Sequence, residues 1–214
     1  MDERRRSTAS TLSSLSKGKE EIRELKVILL GEPGVGKTNI ISKYLLGEFN
    51  QASNPTIGST FGEKRVKRDG YIYSLKVWDT TGQEKYNSIT KLFVKGSHIV
   101  ILVYAIDNLK SFEKINFWHN YVEEELHKKK YVLGILGNKR DLFDMEVVSE
   151  EDGKNLAKEK NAIFGLVSAK VDNKAIKDYF ELLLDEFINT VDLAYLSETS
   201  IKIDEDGNKK RKCC

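Results

Sequence analysis

Cysteine is nearly absent: the chain has two, Cys213 and Cys214, and they are its last two residues. The rest of the sequence holds no thiol for a disulfide framework or a cysteine metal cluster, which fits a reducing compartment. Long apolar runs are missing too. The longest, residues 99–106, falls far short of the roughly 20 residues a membrane-spanning helix needs, and the N-terminus lacks the apolar core of a signal peptide. A soluble domain is expected. Charge of one sign is also lacking, since 35 Lys and Arg stand against 33 Asp and Glu for a formal net charge of +2, and this balance gives no support to nucleic-acid binding. Position 2 is Asp rather than Gly, which argues against myristoylation. What remains, at 214 residues, suits one α/β domain with tails.

Residues 1–21 are rich in Ser, Thr, Arg, Lys and Glu with few large apolar residues, and are expected to stay disordered. Arg4-Arg5-Arg6-Ser7 reads either as a kinase site or as part of a solubilising extension, while Asp2 and Glu3 count against an organellar transit peptide. Residues 22–190 form the expected folded domain. Short apolar runs there alternate with amphipathic helices, which predicts a six-stranded, mostly parallel sheet with helices on both faces. Strands are expected near 25–30, 61–67, 72–78, 98–105, 132–137 and 162–167. Asp69-Gly70 is a hairpin signal between the second and third of these, so that pair supplies the one antiparallel strand. The last helix repeats Ile176, Tyr179, Phe180, Leu183, Leu184, Phe187 and Ile188 at the spacing of a face packed on the sheet. Residues 191–214 turn polar and charged and read as a flexible tail ending Lys209-Lys210-Arg211-Lys212-Cys213-Cys214.

Gly31-Glu32-Pro33-Gly34-Val35-Gly36-Lys37-Thr38 follows the first strand and opens a helix, the setting of a phosphate-binding loop. Gly34 and Gly36 let the backbone curl so that successive N–H groups face phosphate oxygens, and the helix adds the positive end of its dipole. Lys37 can reach the β- and γ-phosphates, and Thr38 offers a hydroxyl to Mg²⁺. The loop alone leaves ATP and GTP open. Trp78-Asp79-Thr80-Thr81-Gly82-Gln83-Glu84 begins at a strand end, where a carboxylate can meet the Mg²⁺ shell and a glycine N–H a terminal phosphate. Asn138-Lys139-Arg140-Asp141 follows another strand, at the carboxyl end where open α/β sheets bind ligands. A carboxylate there can accept from N1 and the 2-amino group of guanine, a donor pair that adenine lacks. Ser168-Ala169-Lys170 could close the base pocket with a backbone N–H.

Taken together these motifs resemble the Ras superfamily of small GTPases, a P-loop NTPase fold, over about 25–190, and the double-cysteine end resembles its Rab branch. The resemblance implies GTP and GDP as bound nucleotides with Mg²⁺ as cofactor. It assigns Gly34, Val35, Gly36 and Lys37 to phosphate binding, with Thr38 and Thr56 as Mg²⁺ ligands and Asp79 holding the ion through water. The Gly82 N–H would read the γ-phosphate, and Gln83 would orient the attacking water, with Lys37 as the other catalytic group. Asn138 and Asp141 would read guanine, Lys139 and Phe49 would flank it, and Ser168, Ala169 and Lys170 would complete the pocket. About 50–62 and 79–93 would be the two switches.

Phe61, Trp78 and Phe93 match the aromatic triad by which Rab proteins meet effectors. Alternation places Phe61 with Glu63, Arg65 and Lys67, and Trp78 with Ser74 and Lys76, so large aromatics stand on polar strand faces. For Phe93, on a helix beside Leu92, core packing is an equal reading. The resemblance further implies geranylgeranyl groups on Cys213 and Cys214, each chain worth about 0.8 kcal/mol per buried CH₂, with Lys209, Lys210, Arg211 and Lys212 beside anionic lipid. It implies a monomeric switch in vesicle-mediated protein transport, on the cytoplasmic face of an endomembrane with a cytosolic pool. Its partners would be an exchange factor, a GTPase-activating protein, a GDP-dissociation inhibitor or escort protein, and effectors. Pro33 stands where many relatives have Gly or Ser, and Thr81 where Ala is usual, while Ser59 and Thr60 also depart from the common Rab string. Pro33 keeps a second reading open: a GTP-binding scaffold with little intrinsic hydrolysis.

Overall fold

A computed structural model describes residues 21–50, 60–80, 87–127 and 129–190. The chain runs β1 (Ile22–Leu30), α1 (Lys37–Leu46), β2 (Thr60–Arg68), β3 (Tyr71–Asp79), α2 (Asn87–Val94), β4 (Ile99–Ala105), α3 (Leu109–Glu113), α4 (Ile115–Leu126), β5 (Val132–Asn138), α5 (Glu150–Glu159), β6 (Ile163–Leu166) and α6 (Asn173–Thr190). A 3₁₀ turn, Arg140–Met145, joins β5 to α5.

All six strands lie in one sheet, ordered β2-β3-β1-β4-β5-β6. Every pairing is parallel except β2 with β3, as Asp69-Gly70 predicted. Both turn residues have positive φ, 49° and 81°, the conformation whose twist suits a two-residue hairpin. β4 and β5 are buried along their whole length, which explains why both read as unbroken apolar runs.

Alternating side chains of the central strands feed two cores. Leu25, Val27 and Leu29 of β1 pack with α1 and α6 on one face, and Ile28 and Leu30 with α4 and α5 on the other. The predicted stripe on α6 is core: Ile176, Tyr179, Phe180, Leu183, Leu184 and Phe187 are buried, and Ile188 packs beside them.

β1 begins three residues before its expected start, the other strand edges differ from expectation by at most one residue, and at His98 the reason is visible. His98 donates its N–H to the Lys26 carbonyl at 2.9 Å, as a ladder residue would. The returning bond, Lys26 N–H at 2.9 Å, goes to His98 Nδ1 instead of a backbone carbonyl. The imidazole stands in for one rung, and β4 begins one residue later.

Candidate functional site

The carboxyl ends of β1, β3, β5 and β6 carry the motif residues, so the parallel topology gathers four stretches that lie far apart in sequence. After β1 the loop turns through Gly31, Gly34 and Gly36 at positive φ into α1. At Gly36, φ is 96° and a Cβ would lie 2.4 Å from Asn138 Nδ2, so only glycine lets the loop and β5 approach this closely. Lys37, the first residue of α1, is buried and donates from Nζ to the Gly31 and Glu32 carbonyls at 2.8 and 3.0 Å. Burial pulls its pKa down to about 8, against the partial restoring pull of Asp79 and Glu32.

Thr38 donates its hydroxyl to Asp79 Oδ2 at 2.8 Å, joining the start of α1 to the end of β3. Asp79 is 3% exposed. A hydroxyl and a carboxylate are hard oxygen donors of the kind Mg²⁺ prefers. Among the described residues no cluster of three or more His, Cys, Asp or Glu side chains could cage a metal. The pair therefore fits an ion whose other ligands are phosphate and water. Thr80 donates to the Leu29 carbonyl at 2.5 Å, fixing the point at which β3 ends.

At the end of β5, Asn138 is 2% exposed and uses both ends of its amide. Nδ2 donates to the Val35 carbonyl at 2.8 Å, and Oδ1 accepts from the Ala169 N–H at 3.0 Å. One side chain thus ties the phosphate loop to the loop after β6. Ser168 donates to Asp141 Oδ1 at 2.5 Å, and its own oxygen accepts from the Lys170 and Val171 amides. Lys139 adopts φ 67°, and its Nζ lies 3.2 Å from Asp107 Oδ2. Phe49 packs part-buried against the core, and Lys170 is exposed.

The aromatic trio is contiguous. Phe61 and Trp78 face one another in the β2–β3 register with ring centroids 5.1 Å apart, and Trp78 meets Phe93 at 5.5 Å. Phe61 is 59% exposed, while Trp78 and Phe93 are half-buried. Lys26 lies beneath them: its Nζ is 5.5 Å from the Trp78 ring and 3.0 Å from the Lys95 carbonyl just past α2. Ser74, expected on the polar face, is buried.

Thr56, Gly82, Gln83, Cys213 and Cys214 lie outside the described residues, as do most of the first expected switch, residues 81–86 of the second and nearly all of both tails. Sequence reasoning missed several partners of the site. Asp172 accepts from the Ser168 N–H at 2.8 Å and pairs with Arg140, bracing the loop after β6. Its one sequence signal is an acid four residues past Ser168, at the approach to a helix. Asp107 carried no motif signal.

This sheet order, with a glycine-rich loop between its central strand and first helix, defines a P-loop nucleotide-binding protein. A family model described as the Ras family matches residues 26–189, and the chain belongs to that family, as a Rab-like small GTPase. It is 34% identical to the Ras-related protein RabC of Dictyostelium discoideum over 191 residues, covering 88% of this chain and 96% of the relative. Against the Ras-related protein Rab-17 of Homo sapiens it is 32% identical, covering 90% and 91% of the two chains. Against the Ras-related protein RGP2 of Oryza sativa subsp. japonica it is 32% identical, covering 88% and 93%. Guanine-nucleotide binding comes with the family.

Proposed function

We propose that this protein is a membrane-attached switch of vesicle traffic that binds GTP or GDP with Mg²⁺, hydrolyses GTP slowly and recruits effectors while GTP is bound. The observation that carries the reading is the Thr38–Asp79 hydroxyl–carboxylate pair at 2.8 Å beside the buried ammonium of Lys37. In this reading Thr38 and Thr56 would hold Mg²⁺, with Asp79 acting on it through water, and the ion would supply charge neutralisation for the phosphates. Lys37 exchanges its two carbonyl acceptors for phosphate oxygens, a charge-assisted contact in a desolvated place. The loop glycines and Val35 supply backbone donors, and Asp141 accepts from the guanine edge. Gln83 orients the attacking water, and the Gly82 N–H senses the γ-phosphate. Loss of that phosphate relaxes the segments around Thr56 and Gln83, and the Phe61–Trp78–Phe93 surface changes with them.

Residues 1–21 and 191–214 are then appendages to a domain of 22–190. Geranylgeranyl groups on Cys213 and Cys214 give the membrane attachment. Two chains hold firmly where one holds weakly, and the adjacent basic run adds attraction to anionic lipid. The described residues contain no helix long and apolar enough to cross a membrane. The protein would sit on the cytoplasmic face of an endomembrane, with a cytosolic pool held by a protein that shields both chains. Exchange and GTPase-activating factors would set its cycle.

Single-turnover hydrolysis of Mg²⁺-GTP by the full chain, beside Gln83→Leu and Pro33→Gly, tests the timer. Gln83→Leu is expected to slow phosphate release clearly. An inert wild type restored by Pro33→Gly would replace the timer with the scaffold reading, in which exchange alone sets the bound state.

A further inference from the structure

Asp107 stands two residues past β4 and belongs to none of the motifs. Its segment is held to the base-side loop by the ladder: Ala105 pairs with Asn138, and the Ile106 N–H donates to the Asn138 carbonyl at 3.1 Å. That register brings Asp107 Oδ2 within 3.2 Å of Lys139 Nζ, with side chains only 17% and 31% exposed. The other carboxylate oxygen, Oδ1, is shielded from solvent and has no hydrogen-bond partner among the described residues. Lys139 is in turn constrained from behind, with its backbone in the left-handed region and its carbonyl accepting from the Leu142 N–H at 2.8 Å.

We infer that Asp107 is a positioning residue for the bound nucleotide: it holds the head of Lys139, and so freezes the aliphatic stem into the wall of the base pocket before the nucleotide arrives. This rests on the base-pocket reading given above for Lys139 and Asp141. A free lysine has a rotamer-rich four-carbon stem, and packing it against a base loses that freedom on binding. With the ammonium anchored by a carboxylate just past the end of the neighbouring strand, much of the ordering is complete in the folded protein. Pre-organisation of this kind acts chiefly on the rate of ligand release. An ordinary partly exposed ion pair would contribute slightly to folding and nothing specific to the nucleotide.

Release of fluorescently labelled GDP into excess unlabelled GDP, at fixed Mg²⁺, separates the two roles. Full-length wild type is compared with Asp107→Ala, Asp107→Asn, Lys139→Ala and the Asp107→Ala/Lys139→Ala double variant. Asp107→Ala is expected to release GDP about tenfold faster. Asp107→Asn, which keeps an acceptor and the shape but loses the charge, should fall between it and wild type. In the Lys139→Ala background Asp107→Ala should change release less than about twofold, because the group it positions is gone. Unchanged release from both Asp107 variants, or equal acceleration with and without Lys139, overturns the inference. If Asp107→Ala does not fold, Asp107→Asn carries the same cycle. Asp141→Asn keeps the two readings apart: it should exchange guanine for xanthine preference, since an amide donates where the carboxylate accepted. Failure of that exchange sinks the base pocket itself, whereas its success beside silent Asp107 variants sinks only the role of Asp107.

Discussion

Asn138 donates its side-chain amide to the carbonyl of Val35 at 2.8 Å, across 103 residues of sequence. The same amide accepts from Ala169, so the phosphate loop, β5 and the loop after β6 share one fastener. All three partners are at most 3% exposed, which makes the loss of this side chain a loss of two buried hydrogen bonds with no water to replace them. Asn138→Ala is expected to destabilise the protein by about 3 kcal/mol and to speed GDP release at least tenfold. Asn138→Asp keeps the acceptor for Ala169 but sets a carboxylate against the Val35 carbonyl, and should be no better. Thermal melting and GDP release on the same samples check both effects, and an unshifted melt for Asn138→Ala would remove the fastener from the account.

If phosphate meets the ammonium of Lys37, nucleotide affinity should be sensitive to pH. Burial lowers its pKa to about 8, so at pH 7 roughly nine-tenths is charged in the nucleotide-free protein. Phosphate binds the charged form and raises the pKa in the complex. Affinity is therefore flat below about pH 8 and falls by roughly tenfold per unit above it, until the pKa of the complex is reached. Isothermal titration of GDP between about pH 6.5 and 9 should show that bend, and Lys37→Met should bind weakly without it. A wild-type profile that stays level to pH 9 would mean the ammonium is not the group that phosphate meets.

His98 gives a second pH dependence, in stability. Its Nδ1 accepts from Lys26, and burial lowers its pKa to about 4, with Lys26 and Lys129 pushing the same way. The folded state keeps the ring neutral where the unfolded chain, near 6.5, takes up a proton. The stability this ring holds is complete above pH 6.5 and is lost as pH falls toward 4, about 3 kcal/mol in all. Urea unfolding between those limits should show the loss, and His98→Asn should flatten it while keeping an acceptor for the Lys26 N–H.

The sheet was legible because its central strands are buried on both faces and read as apolar runs, and α6 because its stripe keeps the helical period over four turns. The glycine-rich loop between β1 and α1 was legible because its motif is local. Side chains that bind distant partners were not. No motif marks Lys64 or Arg68, yet Arg68 forks onto Glu181 and Asp185 at 2.7 and 2.9 Å, 113 and 117 residues away. Lys64 donates to the Tyr44 carbonyl at 2.5 Å and lies over the Tyr44 ring. These contacts hold the β2–β3 hairpin to α1 and α6, and strand alternation says only which face a side chain takes. Asp107 was invisible for the same reason, since its partner is set by the β4–β5 register.

Phe61 and Trp78 form one cross-strand pair with unequal burial, and that inequality separates surface from support. Phe61 is 59% exposed, so Phe61→Ala should shift stability by less than about 1 kcal/mol. Trp78 packs against Phe61 and Phe93, lies near the Lys26 ammonium and sits partly buried on the second core. Trp78→Ala should cost about 2 kcal/mol, below the range for a fully buried aromatic. If the trio is the effector surface, both variants lose capture of GTP-dependent partners, but only Trp78→Ala also lowers the melting temperature. Denaturant melts beside partner capture, each with a non-hydrolysable GTP analogue bound, distinguish these effects. Full partner capture by Phe61→Ala would move the surface away from β2. Equal destabilisation by the two variants would mean that Phe61 is packed rather than presented.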